Sequence, residues 1–326
     1  MLRAAPMFTP TLEEAFEDQG YLIIENIFAP ADLKPLFDDY ANLLDVMARR
    51  WLAEGVIPES YDHLPFEERA AAIISQIDEF QYRHFDIALP NTLQSITEET
   101  PIHLSEAVFN LLTHPRLLDH VERFIGPEIL ANPIQHVRIK PPEGLTSSRS
   151  SKPSGLVTRT GWHQDQGVAR PEADETQMLT VWLAITDATE ENGCLCIIPG
   201  SHRSGLVTHC TAGGVTIPES LLEPQQVSVP MRAGSALFMH RRTKHASLTN
   251  RSSGIRWSFD LRYQPIGQPT GREEFPSTIV RRRARPESVV TDWRAWAAGW
   301  LNARAGLADR PMVKSHRWSG DDPACA

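Results

Sequence analysis

The chain has 326 residues, of which 41% are hydrophobic and 22% are charged, and its formal net charge is −9 at pH 7. This composition is typical of a globular protein with a sizeable core, and the surplus of acidic groups argues against nucleic acid or an anionic membrane as the main partner. No run approaches the roughly 18 apolar residues that a membrane-spanning helix needs. Residues 1–10 lack the apolar segment of a signal peptide.

The cysteine count predicts the redox state of the protein. There are only four cysteines, Cys194, Cys196, Cys210 and Cys325, too few for a disulfide framework in a chain of this length. We therefore expect reduced thiols and a cytoplasmic protein. Cys194 and Cys196 lie two residues apart, which is not the spacing of a zinc knuckle, and we assign them no function.

The N-terminal part of the chain is predicted to be mainly helical. Thr11 is a suitable N-cap and Gly20 a suitable stop for a first helix, and a short strand over 21–24 follows. Pro30 begins a longer helix with apolar residues at helical spacing. The predicted helices cover residues 12–19, 30–50, 66–85 and 114–124.

After Pro133 the pattern changes to short β-prone runs separated by turn residues. The run 178–185 is apolar enough to be buried on both faces. The predicted strands cover residues 134–139, 178–185, 194–198, 226–229, 235–239 and 255–263, with a turn over 190–193. Many short strands without intervening helices predict an all-β sandwich or barrel.

Two segments outside this pattern also carry predictions. Residues 141–160 form a long, polar, unpatterned stretch, and because such loops are usually functional or disordered, we predict an active-site lid. In the Arg-rich tail, we expect 281–285 to be a solvated face and a helix over 292–305 to pack its tryptophans, Trp293, Trp296 and Trp300, onto the body.

We predict one domain, with helical support over 1–130, a core over 131–265 and a C-terminal extension over 266–326.

The stretch 161–166 contains a His-x-Asp pair. Residues two apart in a strand point to the same face, so His163 and Asp165 should lie side by side. An imidazole and a carboxylate are two of the three ligands of the 2-His-1-carboxylate iron site. His245, on a distant predicted strand, is the second histidine we choose. Arg256 follows on the next strand, and its guanidinium fork suits a carboxylate.

These residues alone leave several alternatives open. The three candidate ligands are also compatible with ordinary polar strand ends, with a metal-binding cupin-like protein that lacks oxygenase activity, or with a zinc hydrolase. Arg256 separates the last two from an oxygenase, because neither needs a buried anchor for a carboxylate. A structural ion pair is the alternative role for Arg256.

Several separated motifs, in this order, resemble the phytanoyl-CoA dioxygenase family over residues 21–263. They are Lys140-Pro141-Pro142, Gly161-Trp162-His163-Gln164-Asp165, Trp182 in the following strand, the run from Asn192 to His202, and His245-x-Ser247-x-x-Asn250-x-Ser252 followed by Arg256.

The resemblance implies a mainly β fold with flanking helices: a double-stranded β-helix (jelly roll, cupin-like) core with a helical N-terminal part. It also implies Fe(II), with 2-oxoglutarate and O₂ as co-substrates. The implied metal ligands are His163, Asp165 and His245, and the implied 2-oxoglutarate site consists of Arg256, which would pair with the distal carboxylate, together with Ser247, Lys140 and Trp182. Lys140 as a surface residue, Trp182 as core packing and Ser247 as a turn residue remain alternatives.

The implied activity is oxidation of a small molecule, by default hydroxylation of an aliphatic C–H bond with release of succinate and CO₂. Desaturation, epoxidation or rearrangement in a biosynthetic pathway are alternatives, as is a non-catalytic metal-binding jelly roll. Related halogenases carry a small residue where this chain has Asp165, so halogenation is not expected.

The substrate is less well indicated than the chemistry. The sequence has no obvious adenine or pyrophosphate site, which favours a free small molecule, and a homo-oligomer is possible. We expect Arg138 and Arg262 to face an anionic group of the substrate. The candidate residues for the rim of the substrate pocket are Gln76, Gln81, Tyr82, Arg138, Gln166 and Arg262.

Overall fold

The computed structural model describes residues 11–90, 96–145, 158–212, 214–308, 310 and 317–325. Its helices are α1 (Leu12–Gln19), α2 (Pro30–Ala53), α3 (Phe66–Ile74), α4 (Glu79–Tyr82), α5 (Glu106–Leu112), α6 (Pro115–Ile125), α7 (Asp165–Val168) and α8 (Trp293–Leu307). Its strands are β1 (Tyr21–Ile24), β2 (Glu128–Ala131), β3 (His136–Lys140), β4 (Leu179–Ala184), β5 (Leu195–Ile197), β6 (Val227–Val229), β7 (Ala236–His240), β8 (His245–Ser247), β9 (Arg256–Pro265) and β10 (Thr278–Arg282). None of the described helices combines the length and the apolar character needed to cross a membrane.

The predicted ends of α1 are confirmed. Thr11 and Glu14 form a capping box at the start of α1, which satisfies backbone N–H groups that have no partner inside the helix. Gly20 ends α1 with a φ of 76°, and a Cβ on Gly20 would lie 2.3 Å from the His202 ring. Only glycine fits here, since the left-handed backbone and the close approach both exclude a side chain.

The single helix predicted over 66–85 is wrong. The structure ends α3 at Ile74 and begins α4 at Glu79. Asp78 causes the restart, because its side chain accepts a hydrogen bond from the Gln81 backbone N–H at 2.8 Å and so caps a new helix. Most of the predicted lid, residues 146–157, lies outside the described residues.

Two antiparallel sheets form the core. The large sheet has the order β1-β7-β4-β9-β2-β10, with β3 also paired to β9, and the small sheet has the order β6-β5-β8. Apolar side chains, including Leu195, Val229 and Leu237, fill the space between the sheets, and the N-terminal helices cover the outer face of the large sheet. This is the predicted jelly roll with helices on one side.

Strand β9 shows how the sequence produces these layers. Its aromatic and aliphatic residues Trp257, Phe259 and Leu261 belong to the core beneath the helices. Alternate residues of a strand point to opposite faces, so the polar residues between them face the interior of the jelly roll. They are Arg256, Ser258, Asp260, Arg262 and Gln264, all buried. A polar row buried inside a barrel predicts a site rather than a packed core.

The C-terminal part is integrated into the fold. Strand β10 extends the large sheet by pairing with β2, and α8 packs Trp296 against Phe109 and Trp300 against Phe275, as predicted. The arginine run is not simply a solvated face: Arg281 and Arg283 pair with Glu122 of α6 at 2.8 and 2.6 Å. Short-range charge patterns could not reveal partners about 160 residues away.

The expectation that all four thiols are reduced is wrong. Cys210 and Cys325 form a disulfide across 115 residues of sequence, whereas Cys194 and Cys196 are free and buried. The two bonded cysteines approach because the C-terminal end of the chain returns to the body of the protein. That contact is tertiary, so the cysteine count could not predict it.

Trp257 should be a major contributor to stability. Its ring is fully buried and lies 4.8 to 5.7 Å, between ring centroids, from Tyr40, Phe37 and Phe66. We expect Trp257→Ala to lower the free energy of unfolding by about 3–5 kcal/mol, as measured by urea denaturation. Trp293→Ala, at a partly buried position, serves as the control and should lower the free energy of unfolding far less.

Candidate active site

His163, Asp165 and His245 converge at one end of the small sheet. His163 and His245 form an antiparallel bridge in which each backbone N–H donates to the other carbonyl, at 2.9 and 3.0 Å. Asp165 Oδ1 lies 3.8 Å from His163 Nε2 and 4.0 Å from His245 Nε2. Among the described residues, these three side chains are the group that could hold a metal ion, with ligand atoms within 4.8 Å of one another.

The predicted reason for this proximity is only half right. His163 is extended, but Asp165 is the first residue of the one-turn helix α7, not a second residue of the same strand. The chain turns after Gln164, where the Gln166 backbone N–H donates to Arg241 O at 2.9 Å. The carboxylate therefore approaches the histidines from a helix end.

Both imidazoles are oriented for metal binding. His163 Nδ1 lies 2.9 Å from Gly161 O, and His245 Nδ1 lies 2.9 Å from Thr243 O. A carbonyl oxygen only accepts, so each Nδ1 carries the proton and each Nε2 presents its lone pair to the shared space. Burial, reinforced by the neighbouring His245, lowers the pKa of His163 to about 3, so the ring is neutral at physiological pH.

Asp165 is held by two further side chains. Arg262 donates to Oδ1 and Thr180 donates to Oδ2, and Arg262 also donates to Ile134 O at 3.0 Å. Burial by itself raises the pKa of a carboxyl group, but the Arg262 guanidinium and the hydrogen bond from Thr180 outweigh it, and the pKa of Asp165 is lowered. The carboxylate is thus ionised and fixed before any metal arrives.

A second group of polar residues surrounds Arg256. This guanidinium is fully buried and donates from Nη1 to Ser258 Oγ at 2.6 Å. Its Nε and Nη2 atoms have no hydrogen-bond partner among the described residues. Its Cζ lies 5.2 Å from the ring centroid of Trp182, close enough for a cation–π contact. Burial lowers the pKa of Arg256 to about 10, and it remains charged.

Lys140 and Ser247 lie in the same interior. The Lys140 ammonium donates to Ser247 Oγ at 2.7 Å and to Thr160 Oγ1 at 3.1 Å, and Ser247 Oγ also accepts from the Thr160 backbone N–H at 2.8 Å. Lys140 is buried, which excludes the surface role that the sequence left open. Burial and the neighbouring Arg256 lower the pKa of Lys140 well below its ordinary value.

These residues fit 2-oxoglutarate. The orphaned N–H groups of Arg256 require an acceptor, because a buried donor without one costs about 1–3 kcal/mol and more when charged. A carboxylate supplies two acceptor oxygens in the geometry of a guanidinium fork. Lys140 and Ser247 add further donors in the same interior.

The substrate candidates have partners within the protein. Arg262 pairs with Asp165, and Arg138 pairs with Asp260. The Tyr82 hydroxyl donates to Val137 O and accepts from the Ile139 N–H. The remaining three form hydrogen bonds with other side chains or the backbone: Gln76 with Tyr61, Gln81 with Asp78, and Gln166 with Asp174 and Arg242.

The sequence alone did not single out Thr160, Thr180 or Asp260. For Asp260 a signal exists: polar and apolar residues alternate along β9 in phase with Arg256, so Asp260 shares its face. Thr180 has no such signal, because it lies in an otherwise apolar strand, β4, and nothing in that pattern indicates a role for its hydroxyl.

The buried histidines should make the metal-free protein acid-sensitive. Burial lowers the pKa of His209 to about 4, and His163 is at about 3, against about 6.5 in an unfolded chain. The unfolded state therefore binds more protons below pH 6.5. Above pH 6.5 neither histidine lowers the free energy of unfolding. Below it, each histidine lowers the free energy of unfolding by about 1.4 kcal/mol per pH unit until the pH reaches its folded pKa. Urea denaturation at pH 7, 6 and 5 measures this slope, and His209→Gln should reduce it.

Comparison with known proteins agrees with this geometry. The family model for phytanoyl-CoA dioxygenase (PhyH) matches residues 16–258. Peroxisomal phytanoyl-CoA dioxygenase of Bos taurus is 24% identical over 253 residues, which cover 74% of this chain and 64% of the bovine protein. Phytanoyl-CoA dioxygenase of Arabidopsis thaliana is 26% identical over 293 residues, which cover 86% of this chain and 96% of the plant protein.

Solved structures share the fold. A structure described as "non-heme monooxygenase; ThoJ apo" aligns with a TM-score of 0.58 at 20% identity and covers 91% of this chain and 94% of that chain. A nickel complex of the same protein gives a TM-score of 0.55 at 19% identity, covering 91% and 95%. The family model spans well over half of the sequence. The chain therefore belongs to the phytanoyl-CoA dioxygenase family and is an Fe(II)- and 2-oxoglutarate-dependent oxygenase.

Proposed function

We propose that this enzyme oxidises an aliphatic C–H bond of a small-molecule metabolite, with hydroxylation as the outcome, while 2-oxoglutarate and O₂ are converted to succinate and CO₂. The observation that carries the proposal is the buried guanidinium of Arg256, whose Nε and Nη2 lack partners among the described residues. Its cross-strand neighbour Lys140 donates to Ser247, which lies on β8 together with the proposed ligand His245.

In this proposal His163, Asp165 and His245 hold Fe(II), and Arg256 binds the distal carboxylate of 2-oxoglutarate. When bound, iron with 2-oxoglutarate and O₂ supplies the oxidising power for C–H cleavage. The chain positions and shields these groups. Lys140 and Ser247 donate to the co-substrate, and Trp182 covers the face of the Arg256 guanidinium. Arg262 and Thr180 keep the Asp165 carboxylate directed at the metal position.

We propose that the substrate is a free small molecule rather than a CoA ester, because the sequence has no obvious adenine or pyrophosphate site. We also propose a single domain over residues 1–326, supported by β1 and β10 lying in one sheet.

The Cys210–Cys325 disulfide weighs against the predicted cytoplasmic location, since such bonds are rare in reducing compartments.

Succinate release tests the function. Purified protein with Fe(II), 2-oxoglutarate and O₂ should produce succinate, faster when a metabolite mixture contains the substrate. Mass spectrometry of the mixture should show a product that has gained one oxygen; loss of two hydrogens would instead identify desaturation. An absence of succinate, together with no iron–keto-acid absorption band, would favour a non-catalytic metal-binding protein.

A further inference from the structure

Residues 317–325, here called the C-terminal strap, pack against the turn that carries Asp165. This segment lies outside residues 16–258, which the family model matches. Its contacts are therefore a feature of this chain that the family match does not include.

The first contacts of the strap are with the end of α7. Trp318 Nε1 donates to Gly167 O at 2.7 Å, and Arg317 Nη2 donates to Ala169 O at 3.2 Å and to Gln166 O at 3.4 Å. Carbonyls in the last turn of a helix have no partner within it, and a four-residue helix is too short to be stable by itself. The strap thus supplies donors to this turn, in addition to Arg272, which donates to Val168 O, and the Ala169 backbone N–H, which donates to Gln166 O.

The other side of the turn is fixed by His209. Its ring stacks on Trp318 with centroids 4.9 Å apart, and its Nε2 accepts from the Gln164 backbone N–H at 3.0 Å. A Cβ on Gly167 would lie only 2.4 Å from this ring. The peptide segment around Asp165 is therefore clamped between His209 and the strap.

Three more links fasten the strap to the body. The Thr208 hydroxyl donates to Asp322 at 2.9 Å, and Cys325 is disulfide-bonded to Cys210, the residue next to His209. Arg317 is further held by an ion pair with Asp174 at 2.6 Å. Both bonded cysteines are partly exposed, so a reductant in solution can reach them.

We propose that Arg317 and Trp318 are positioning residues for Asp165 and that the Cys210–Cys325 disulfide couples metal binding to redox state. The proposal rests on Asp165 being a metal ligand, as proposed above. A phosphine reductant gives the step: the phosphorus is oxidised to the phosphine oxide with oxygen from water, the S–S bond breaks, and each sulfur becomes a thiol. The freed strap then holds the Asp165 turn less firmly.

Metal titration tests the proposal. Metal-free protein, saturated with 2-oxoglutarate, is titrated with Ni(II) by calorimetry in three forms: oxidised, phosphine-reduced and desalted, and Cys325→Ser. Thiol counting under denaturing conditions should give two thiols in the oxidised protein and four in the reduced protein. We expect the reduced and Cys325→Ser forms to bind Ni(II) about 10-fold more weakly, since loss of contacts supporting metal ligands costs about 10- to 100-fold in affinity.

Two tryptophan variants separate positioning from general destabilisation. Trp318→Phe keeps an aromatic ring, although a smaller one, but loses the indole N–H donor, and it should weaken Ni(II) binding and alter the absorption band of the Fe(II)–2-oxoglutarate complex. Trp300→Phe, whose buried indole N–H has no partner among the described residues, should lower stability only. Circular dichroism confirms that each variant is folded.

The outcomes are distinct. Equal Ni(II) affinity in the oxidised, reduced, Cys325→Ser and Trp318→Phe forms would overturn the proposal, while the metal site itself would stand. Four thiols in the oxidised protein would overturn its redox part. If the oxidised wild type binds no Ni(II), the metal assignment of Asp165 fails and the role of the strap fails with it.

Discussion

Replacing Arg256 by methionine should weaken 2-oxoglutarate binding on the order of 100-fold. Removing one partner of a buried, hydrogen-bonded charge pair costs about 2–5 kcal/mol, and each 1.4 kcal/mol is about tenfold in affinity. The Nε and Nη2 atoms of Arg256 have no hydrogen-bond partner within the described part of the chain, so they can donate to a carboxylate. A titration of 2-oxoglutarate into the Fe(II) enzyme without O₂, followed by its charge-transfer absorption, measures the affinity.

The same substitution should not destabilise the ligand-free protein. In the wild type, the Arg256 Nε–H and Nη2–H groups are buried without a partner among the residues that the structure describes, which lowers the free energy of unfolding. Arg256→Met should therefore unfold at an equal or higher temperature than the wild type. Arg256→Lys keeps the charge without the fork and should retain part of the affinity. Arg283→Met, just after β10 and paired with Glu122, is the surface control. Unchanged 2-oxoglutarate affinity in folded Arg256→Met would show that the anchor lies elsewhere.

Replacing Asp165 by alanine should abolish metal binding and reduce succinate release to the background without enzyme. The same substitution should also lower the free energy of unfolding of the metal-free protein by about 3–5 kcal/mol, because the buried Arg262 loses its charge partner. Calorimetric metal titration and urea denaturation measure the two effects separately. Asp119→Asn, an exposed carboxylate on α6, should change neither.

A double substitution distinguishes these roles of Asp165. Asp165→Ala/Arg262→Met removes the unpaired charge and should regain most of the lost stability, yet it should bind no metal. The double-mutant cycle gives the coupling energy of the pair. Equal stability of the single and double variants would rule out an important Arg262–Asp165 pair, and wild-type metal affinity in Asp165→Ala would refute the ligand assignment.

The sequence was most informative where local pattern and chemistry coincide. Helix α1 was predictable because Thr11 and Gly20 are local signals at its two ends. The buried β4 was predictable because an uninterrupted apolar run suits a strand covered on both faces. His163, Asp165, His245 and Arg256 stood out because their side chains are chemically specialised and lie in runs of β-type sequence.

The secondary-structure prediction was wrong where a specific hydrogen bond overrides the periodicity of the sequence. The break between α3 and α4 depends on the Asp78 cap. The helical start at Asp165 depends on a backbone hydrogen bond from Gln166 to Arg241, far along the chain. Helical periodicity did not detect the first, and an alternation rule that assumes one continuous strand cannot detect the second.

By itself the sequence predicted a β-rich core, the candidate metal ligands and the arginine suited to a co-substrate, because short segments carry both strand patterns and ligand chemistry, and the resemblance to the family implied the jelly roll. Only the tertiary structure decided what holds those residues. Arg262 reaches Asp165 across 97 residues, Trp318 reaches Gly167 across 151, and Cys325 reaches Cys210 across 115. Such partners are set by how the sheets and the chain end pack together, and no local periodicity encodes that packing.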